Sequence, residues 1–297
     1  MNTLSYPKIS VVTPSFNQAR FIESTIRSVL GQNYQNLEYV IIDGGSNDGS
    51  VDIIERYADR LQWWISEKDR GHAHALNKGF ERTSGEIMCW LNSDDMYLPW
   101  TFEVVAEVFS AFPEVNWIVG FNAFWNDRGA LTEAFRMPKN IYDYLLARYM
   151  WIQQESVFWR RSLWEQAGGK INEQFRVQID GELWSRFFLF DSLYVVDCIL
   201  AGYRRHAENR TAKHQKTTHE EIDLAITQMR KNCSSEVLST ARTLNYLNKL
   251  KCSRVGKHLP ISRVARLLFP RHFDRASYPT LTYSAGSWHK SHQDFFV

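Results

Sequence analysis

Gly85-Glu-Ile-Met-Cys-Trp-Leu-Asn-Ser-Asp-Asp95 is the stretch on which the reading of this chain turns. A short apolar run passes directly into an amide, a hydroxyl and two adjacent carboxylates. Continuous apolar runs of this length belong to strands buried on both faces, as in parallel sheets covered by helices. Three earlier runs repeat the design: Ile9-Ser-Val-Val-Thr13 leads into Pro14-Ser-Phe-Asn17, Leu37-Glu-Tyr-Val-Ile-Ile42 into Asp43-Gly-Gly-Ser-Asn-Asp-Gly-Ser50, and Gln62-Trp-Trp-Ile65 into Ser66-Glu-Lys-Asp-Arg-Gly71. Between them lie helical patterns. Ala19 to Leu30 carries Phe21, Ile22, Ile26, Val29 and Leu30 at helical spacing, and further helices are read at about 50–57, 73–82 and 100–111, before an apolar run Asn116-Trp-Ile-Val119. This alternation predicts an α/β fold with a mixed, mostly parallel sheet flanked by helices. Ligands of such sheets bind beyond the carboxyl ends of the strands. Four polar strand ends on one edge therefore describe a crevice for a phosphorylated ligand and a hard cation.

Composition sets the outer limits. The chain has 297 residues, 44% hydrophobic and 23% charged, with 15 Gly and 8 Pro, which excludes disorder and collagen-like repeats. Its four cysteines form no C-x-x-C pair, against structural zinc and a disulfide scaffold and in favour of a reducing compartment. Met1 to Lys8 has no apolar signal core, and no run reaches the roughly 18 apolar residues of a spanning helix. The expectation is a cytoplasmic protein, soluble or peripheral on a membrane. No G-x-G-x-x-G follows a strand and no G-x-x-x-x-G-K-[ST] occurs, so dinucleotide oxidoreductases and P-loop NTPases lose their main support. Asp94-Asp95 suits Mg²⁺ or Mn²⁺, which use one or two carboxylates plus phosphate and water; the other reading is an Asp helix cap ahead of Pro99.

Taken together these segments resemble the family 2 glycosyltransferases, whose fold is the nucleotide-sugar-binding GT-A fold. The resemblance runs from Ile9 to about Asn209. It rests on Val11-Val-Thr-Pro-Ser-Phe-Asn17, Ser28-Val-Leu-Gly-Gln32, Ile41-Ile-Asp-Gly-Gly-Ser-Asn-Asp-Gly-Ser50, Ser66-Glu-Lys-Asp-Arg-Gly71, Ala75-Leu-Asn-Lys-Gly79 and the acidic stretch ending at Asp95. The resemblance implies an inverting, metal-dependent transfer of one sugar from a nucleotide diphosphate sugar to a hydroxyl acceptor. Thr13, Pro14, Ser15 and Asn17 would line the nucleotide pocket, and Asp43, Gly44, Asp69, Arg70 and Asn77 would complete it. Many members carry a second Asp at the position of Gly44 and use it on uracil. Its replacement leaves the base open, UDP-sugar first and GDP- or dTDP-sugar next. Asp95 is the first choice for the Mn²⁺ or Mg²⁺ cofactor, and Asp94 for the ribose, a bridging water or the metal.

Single displacement also needs a general base beside the acceptor hydroxyl. Gln153-Gln-Glu-Ser-Val-Phe-Trp-Arg-Arg161 and Gly168-Gly-Lys-Ile-Asn-Glu-Gln-Phe175 resemble the segments that precede the family's acceptor-side acid, and Gln178-Ile-Asp-Gly-Glu-Leu-Trp-Ser-Arg186 follows. Asp180 stands at the matching position and is read as the base, with Glu182 in reserve. Gln154, Trp151 and Trp159 are acceptor-side candidates. His206 of Tyr203-Arg-Arg-His206 matches a histidine that lies near the cation or diphosphate in relatives. No Gln-x-x-Arg-Trp follows Asp180, which favours single-sugar addition over polymerisation.

The domain reading is a glycosyltransferase domain over 1–210, nucleotide half about 1–120 and acceptor half about 121–210, then a helical, basic extension over 211–297. Thr218 to about Leu250 reads as one or two amphipathic helices. From Ser253 seven Lys/Arg face two Asp/Glu, interleaved with apolar residues. That segment is expected to touch an anionic membrane, on the cytoplasmic face of the inner membrane, or to join a second subunit as a homo-oligomer. Nucleic acid is not expected, since no recognised motif accompanies the charge. Saccharide or lipid-linked saccharide acceptors in bacterial surface polysaccharide or glycolipid assembly follow by analogy. The rivals are a sugar nucleotidyltransferase and an inactive nucleotide-sugar-binding scaffold. A glycosidase would share paired carboxylates but have no use for the nucleotide-side loops.

Overall fold

The computed structural model describes residues 6–147, 151–207, 209, 215–253 and 260–295. Its strands and helices begin where the apolar runs predict them, within about two or three residues. Strands β1 (Ile9–Ser15), β2 (Leu37–Asp43), β3 (Trp63–Ser66) and β4 (Ile87–Trp90) alternate with helices α1 (Ile22–Leu30), α2 (Ser50–Glu55) and α3 (His72–Phe80). All seven residues of β1 and six of seven in β2 are buried, the signature of strands covered on both sides. β5 (Met96–Tyr97), α4 (Thr101–Ala111), β6 (Trp117–Val119), β7 (Asn122–Trp125), β8 (Leu131–Phe135) and α5 (Ile141–Leu145) follow. Then come β9 (Val157–Arg160), α6 (Arg161–Gln166), α7 (Ile179–Phe187), β10 (Tyr194–Val196) and β11 (Ala201–Arg204).

The extension adds α8 (Gln215–Asn232), α9 (Ser235–Cys252), α10 (Ile261–Leu268) and α11 (Pro270–Ala276), and then departs from the helical expectation. β12 (Tyr278–Ser284) and β13 (Ser287–Gln293) form a hairpin closed by Ala285 and Gly286, both at positive φ (50° and 83°). That is the primed geometry that matches the twist of the flanking strands. β12 then pairs in parallel with β10.

The large sheet thus has nine strands in the order β13-β12-β10-β6-β9-β4-β1-β2-β3, with five parallel and three antiparallel pairings. A second sheet, β5-β11-β7-β8, stands beside it. Between α7 and the sheet lies a cluster of four fully buried tryptophans. Trp90 stacks on Trp184 at 5.6 Å, Trp159 meets both, and Trp117 lies 5.8 Å from Trp184.

Close approach of α3 to the sheet depends on Gly79, where a Cβ would overlap Val12 Cγ1 and come within 3.3 Å of Ile42 Cγ1. Val12 sits in a central strand and has no room to yield. Gly79→Ala is therefore expected to lower the unfolding free energy by about 1–3 kcal/mol in a urea titration; an unchanged midpoint would show that α3 can shift away from β1.

Candidate active site

β4 ends at Trp90, and the chain turns so that the Asp95 N–H donates to the Asn92 carbonyl at 3.1 Å. Asp95 is fully buried: its Oδ1 accepts the Arg204 backbone N–H at 2.8 Å and its Oδ2 the Asn92 amide at 3.3 Å. Asp94 stays partly exposed, with Oδ2 3.0 Å from His206 Nε2. Arg204 fastens the turn, donating from Nε to the Asp94 carbonyl at 2.6 Å and from Nη2 to Ser24 Oγ at 2.9 Å. The Thr25 hydroxyl, on α1, lies 2.7 Å from the Asp95 carbonyl. Of the adjacent pair, then, Asp94 presents its carboxylate to the crevice and Asp95 forms its floor.

A third acid was not singled out in the sequence. Glu155, in the single turn Gln154–Ser156 ahead of β9, is buried with an Oε1 that has no hydrogen-bond partner. Burial raises the Asp95 carboxyl well above its usual range, and the charges of Glu155 and Asp94 raise it further. Glu155 is raised by burial and by Asp94 and Asp180. Three mutually repelling acids, one with an orphaned oxygen, fit a divalent cation, and the carboxylate and imidazole donors of Asp94 and His206 suit Mg²⁺ or Mn²⁺. Among the described residues no three acids, histidines or cysteines converge into a closed cation cage. Any cation held here would draw its remaining ligands from outside the protein.

On the nucleotide side several expected contacts serve the scaffold instead. Thr13 is fully buried with its hydroxyl 3.1 Å from that of Tyr39, and Pro14 is buried beside it. Neither can reach a ligand. Asp43 is equally enclosed: Oδ2 accepts from Gly45 N–H, Ser46 N–H and Ser66 Oγ at 3.0, 2.8 and 2.7 Å, and Oδ1 from Ser46 Oγ at 2.6 Å. Its work is to shape the loop. Asn17, at φ 53°, laces the first loop to the second by donating its N–H to Ser46 Oγ and accepting from Asn47 N–H. Asn77 spends its amide on the backbone of Ile171, at 2.7 and 2.9 Å. Arg70 makes a bidentate pair with Glu173.

What remains free at this edge is an exposed ring and a carboxylate oxygen. Phe16, passed over in the sequence, is 60% exposed. Asp69 accepts the Gly71 N–H on Oδ1 at 2.7 Å, which leaves Oδ2. A Cβ at Gly44 would stand 2.9 Å from that Oδ2 and 3.3 Å from the Phe16 ring, so a side chain at residue 44 would need the Asp69 carboxylate and the Phe16 ring to shift. Ser15, buried at the end of β1 with an unpartnered Oγ, completes this edge.

On the acceptor side Asp180 opens α7, its carboxyl accepting backbone N–H groups at the helix start; burial, with the charge of Glu221, pushes it up to about 6. Glu221 comes from α8 and accepts the N–H groups of Arg176, Val177 and Gln178 at 2.8–2.9 Å, anchoring the loop that delivers Asp180. Nothing in the local sequence marks it. Glu182 is corrected to a structural role, buried and paired bidentately with Arg186 at 2.8–2.9 Å. Gln154 is buried too, donating to the Trp90 carbonyl and accepting from Asn92, so it braces the acidic turn. Trp159 lies wholly in the tryptophan cluster and cannot meet an acceptor. Trp151 packs half-buried against Phe124 and Tyr203 on the second sheet.

The site is thus a polar crevice at the carboxyl edge of a parallel-rich sheet, floored by acids. The family model for glycosyl transferase family 2 matches residues 10–210, and the chain belongs to that family. It is 28% identical over 203 residues to an uncharacterized glycosyltransferase of Mycobacterium tuberculosis, covering 67% of this chain and 76% of that one. It is 39% identical over 94 residues to the putative teichuronic acid biosynthesis glycosyltransferase TuaG of Bacillus subtilis (31% of this chain), and 37% identical over 106 residues to an uncharacterized glycosyltransferase of Nostoc (34% of this chain). The matches span only 37% and 33% of those two relatives. Among solved structures, S. aureus TarS 1–349 in complex with UDP-GlcNAc superposes with a TM-score of 0.66 at 15% identity, over 90% of this chain and 80% of that one. The mannosyltransferase PcManGT of Pyrobaculum calidifontis, in complex with GDP-Man and Mn²⁺, gives 0.54 at 18% identity, over 91% and 83%.

The reassignment of Glu182 is open to test. Glu182→Ala leaves Arg186 without its partner and is expected to lower the unfolding free energy by about 3 kcal/mol while nucleotide binding persists. Full stability with transfer abolished would return Glu182 to the chemistry.

Proposed function

We propose that the chain moves one sugar, with inversion, from a nucleotide diphosphate sugar to a hydroxyl acceptor, with Asp180 as general base. The observation that carries this reading is the position of Asp180, in the first turn of α7 and close enough to the acidic cluster for its charge to be felt by Glu155. A carboxyl pushed up to about 6 is ionised near neutral pH yet basic enough to take the proton of an attacking hydroxyl. Its place at the start of α7, gripped through Glu221, fixes its direction. A single displacement needs one such base and inverts the anomeric carbon.

Asp94 and His206 are proposed to hold the Mg²⁺ or Mn²⁺, with the buried carboxyls of Asp95 and Glu155 as the acidic floor beneath. When bound, the cation would neutralise the departing diphosphate. On the other side, the exposed face of Phe16 offers a stacking surface for a base, and Asp69 Oδ2 is an acceptor beside it. One free carboxylate oxygen matches one imide N–H, as on uracil or thymine, whereas guanine presents two donors. UDP-sugar is thus the favoured donor, dTDP-sugar the next. The UDP-GlcNAc complex of TarS supports a UDP-sugar donor, and the name of TuaG, a teichuronic acid biosynthesis glycosyltransferase, supports a place in bacterial surface polysaccharide assembly; the acceptor is proposed to be a saccharide or lipid-linked saccharide.

Asp180→Asn should cut transfer by about 10²–10⁴-fold while UDP affinity, measured calorimetrically, is unchanged. In the wild type kcat/KM should rise with pH through about 6 and level off above it, because only the ionised carboxylate acts. Glu221 raises the Asp180 pKa, so Glu221→Gln should move that limb to lower pH; a limb that stays put would remove Asp180 from the role. Asp94→Asn should abolish the strengthening of UDP binding by Mn²⁺. Asp69→Asn should weaken UDP about tenfold, the scale of one charge-assisted hydrogen bond, and equal UDP binding would take base recognition away from Asp69.

A further inference from the structure

α10 rests on the body along one edge only. Ile261 and Ala265, four residues apart, are buried where α10 packs on α9 and α11. Arg266 reaches across to Asp294 and to the Phe295 carbonyl. Val264, Leu267 and Leu268, spaced by three and four, share a different face. They are 47%, 79% and 67% exposed, and Phe269 follows at 40%. Scattered exposed leucines are ordinary on a protein surface, but Val264, Leu267 and Leu268 form an exposed apolar strip on α10, with exposed Phe269 directly after it.

The charges beside the strip say what would cover it. Residues 261–276 hold four arginines against one aspartate. Arg266 and Arg275 are paired, with Asp294 and Glu236. Arg263 and Arg271 are exposed and have no acidic partner among the described residues, and they stand four residues before and four after Leu267. Arg263 lies one turn before Leu267 on α10 and Arg271 at the start of the next helix, α11, so an exposed apolar strip with exposed guanidinium groups near it complements a surface that is apolar beneath and anionic on top. That is the interface of an anionic bilayer, where the leucines sink to the headgroup–acyl boundary and the arginines stay at the phosphates. Among the described residues no helix is long and apolar enough to cross a membrane, so contact through α10 would be superficial.

We propose that the α10 strip docks the protein on an anionic lipid surface, with Val264, Leu267, Leu268 and Phe269 inserted and Arg263 and Arg271 on lipid phosphates. The inference is independent of the catalytic reading. Its test is flotation of the full chain with vesicles of phosphatidylcholine alone or mixed with phosphatidylglycerol. The wild type should float with the anionic vesicles only. Leu267→Asp/Leu268→Asp should lose at least about tenfold in vesicle affinity, and Arg263→Gln/Arg271→Gln several-fold, with the loss in the second pair mimicked by added salt. Both pairs are exposed, so the helical circular dichroism should be unchanged, which reports folding without appeal to donor binding. Equal flotation with neutral vesicles, flotation of the aspartate variant at the wild-type level, or a wild-type dimer that the aspartate variant converts to monomer would each overturn the proposal.

Discussion

Three carboxyl groups gathered beyond the end of β4, two of them buried, are the constraint around which this molecule is arranged. Asp94, Asp95 and Glu155 meet in surroundings that screen poorly, where each raises the cost of ionising its neighbours. The contacts that hold them come from distant parts of the chain. Arg204 supplies both its backbone N–H and its guanidinium to the acidic turn, Thr25 reaches it from α1, and Asn92 is braced by Gln154. The second sheet, α1 and the turn before β9 are each oriented by this demand. The cluster of aromatic rings behind Trp90 closes the same region to water from the other side.

Much of the fold was legible because burial on both faces leaves an unambiguous mark, an apolar run without alternation. Ile9 to Ser15 and Leu37 to Asp43 carry that mark, and both lie where the sequence places them. The hairpin at Tyr278–Gln293 does not. Residues Ser287 to Gln293 are mostly polar and exposed because β13 is an edge strand, and they read as the tail of a basic segment. Only the Ala285-Gly286 turn hinted at pairing. Its partner β10 lies more than eighty residues upstream, beyond the reach of a local pattern.

The site was legible as a region and less so as a set of roles. Thr13, Asp43, Asn77 and Gln154 all fall at the crevice, yet each spends its polar atoms on its own chain. A carboxylate that shapes a loop and one that meets a ligand are the same residue type at the same kind of position. What separates them is whether backbone N–H groups already saturate the oxygens, and that is a property of the folded loop. Asp43 is saturated, Asp69 half so. Glu155 and Glu221 went unnoticed for the opposite reason: each looks ordinary until the fold brings a distant partner to it.

The grip of Glu221 on Arg176, Val177 and Gln178 has a consequence for how the protein is made. The family match closes at residue 210, but the loop carrying Asp180 acquires its anchor only from α8, and β10, already paired with β6, gains its second neighbour only from β12. A growing chain passes both points with the Asp180 loop still unfastened and one flank of its sheet open. Domains assemble as their segments emerge, and pairings of long sequence separation come last. The anchoring of that loop therefore arrives late in synthesis, after β1 to β4 have had time to form.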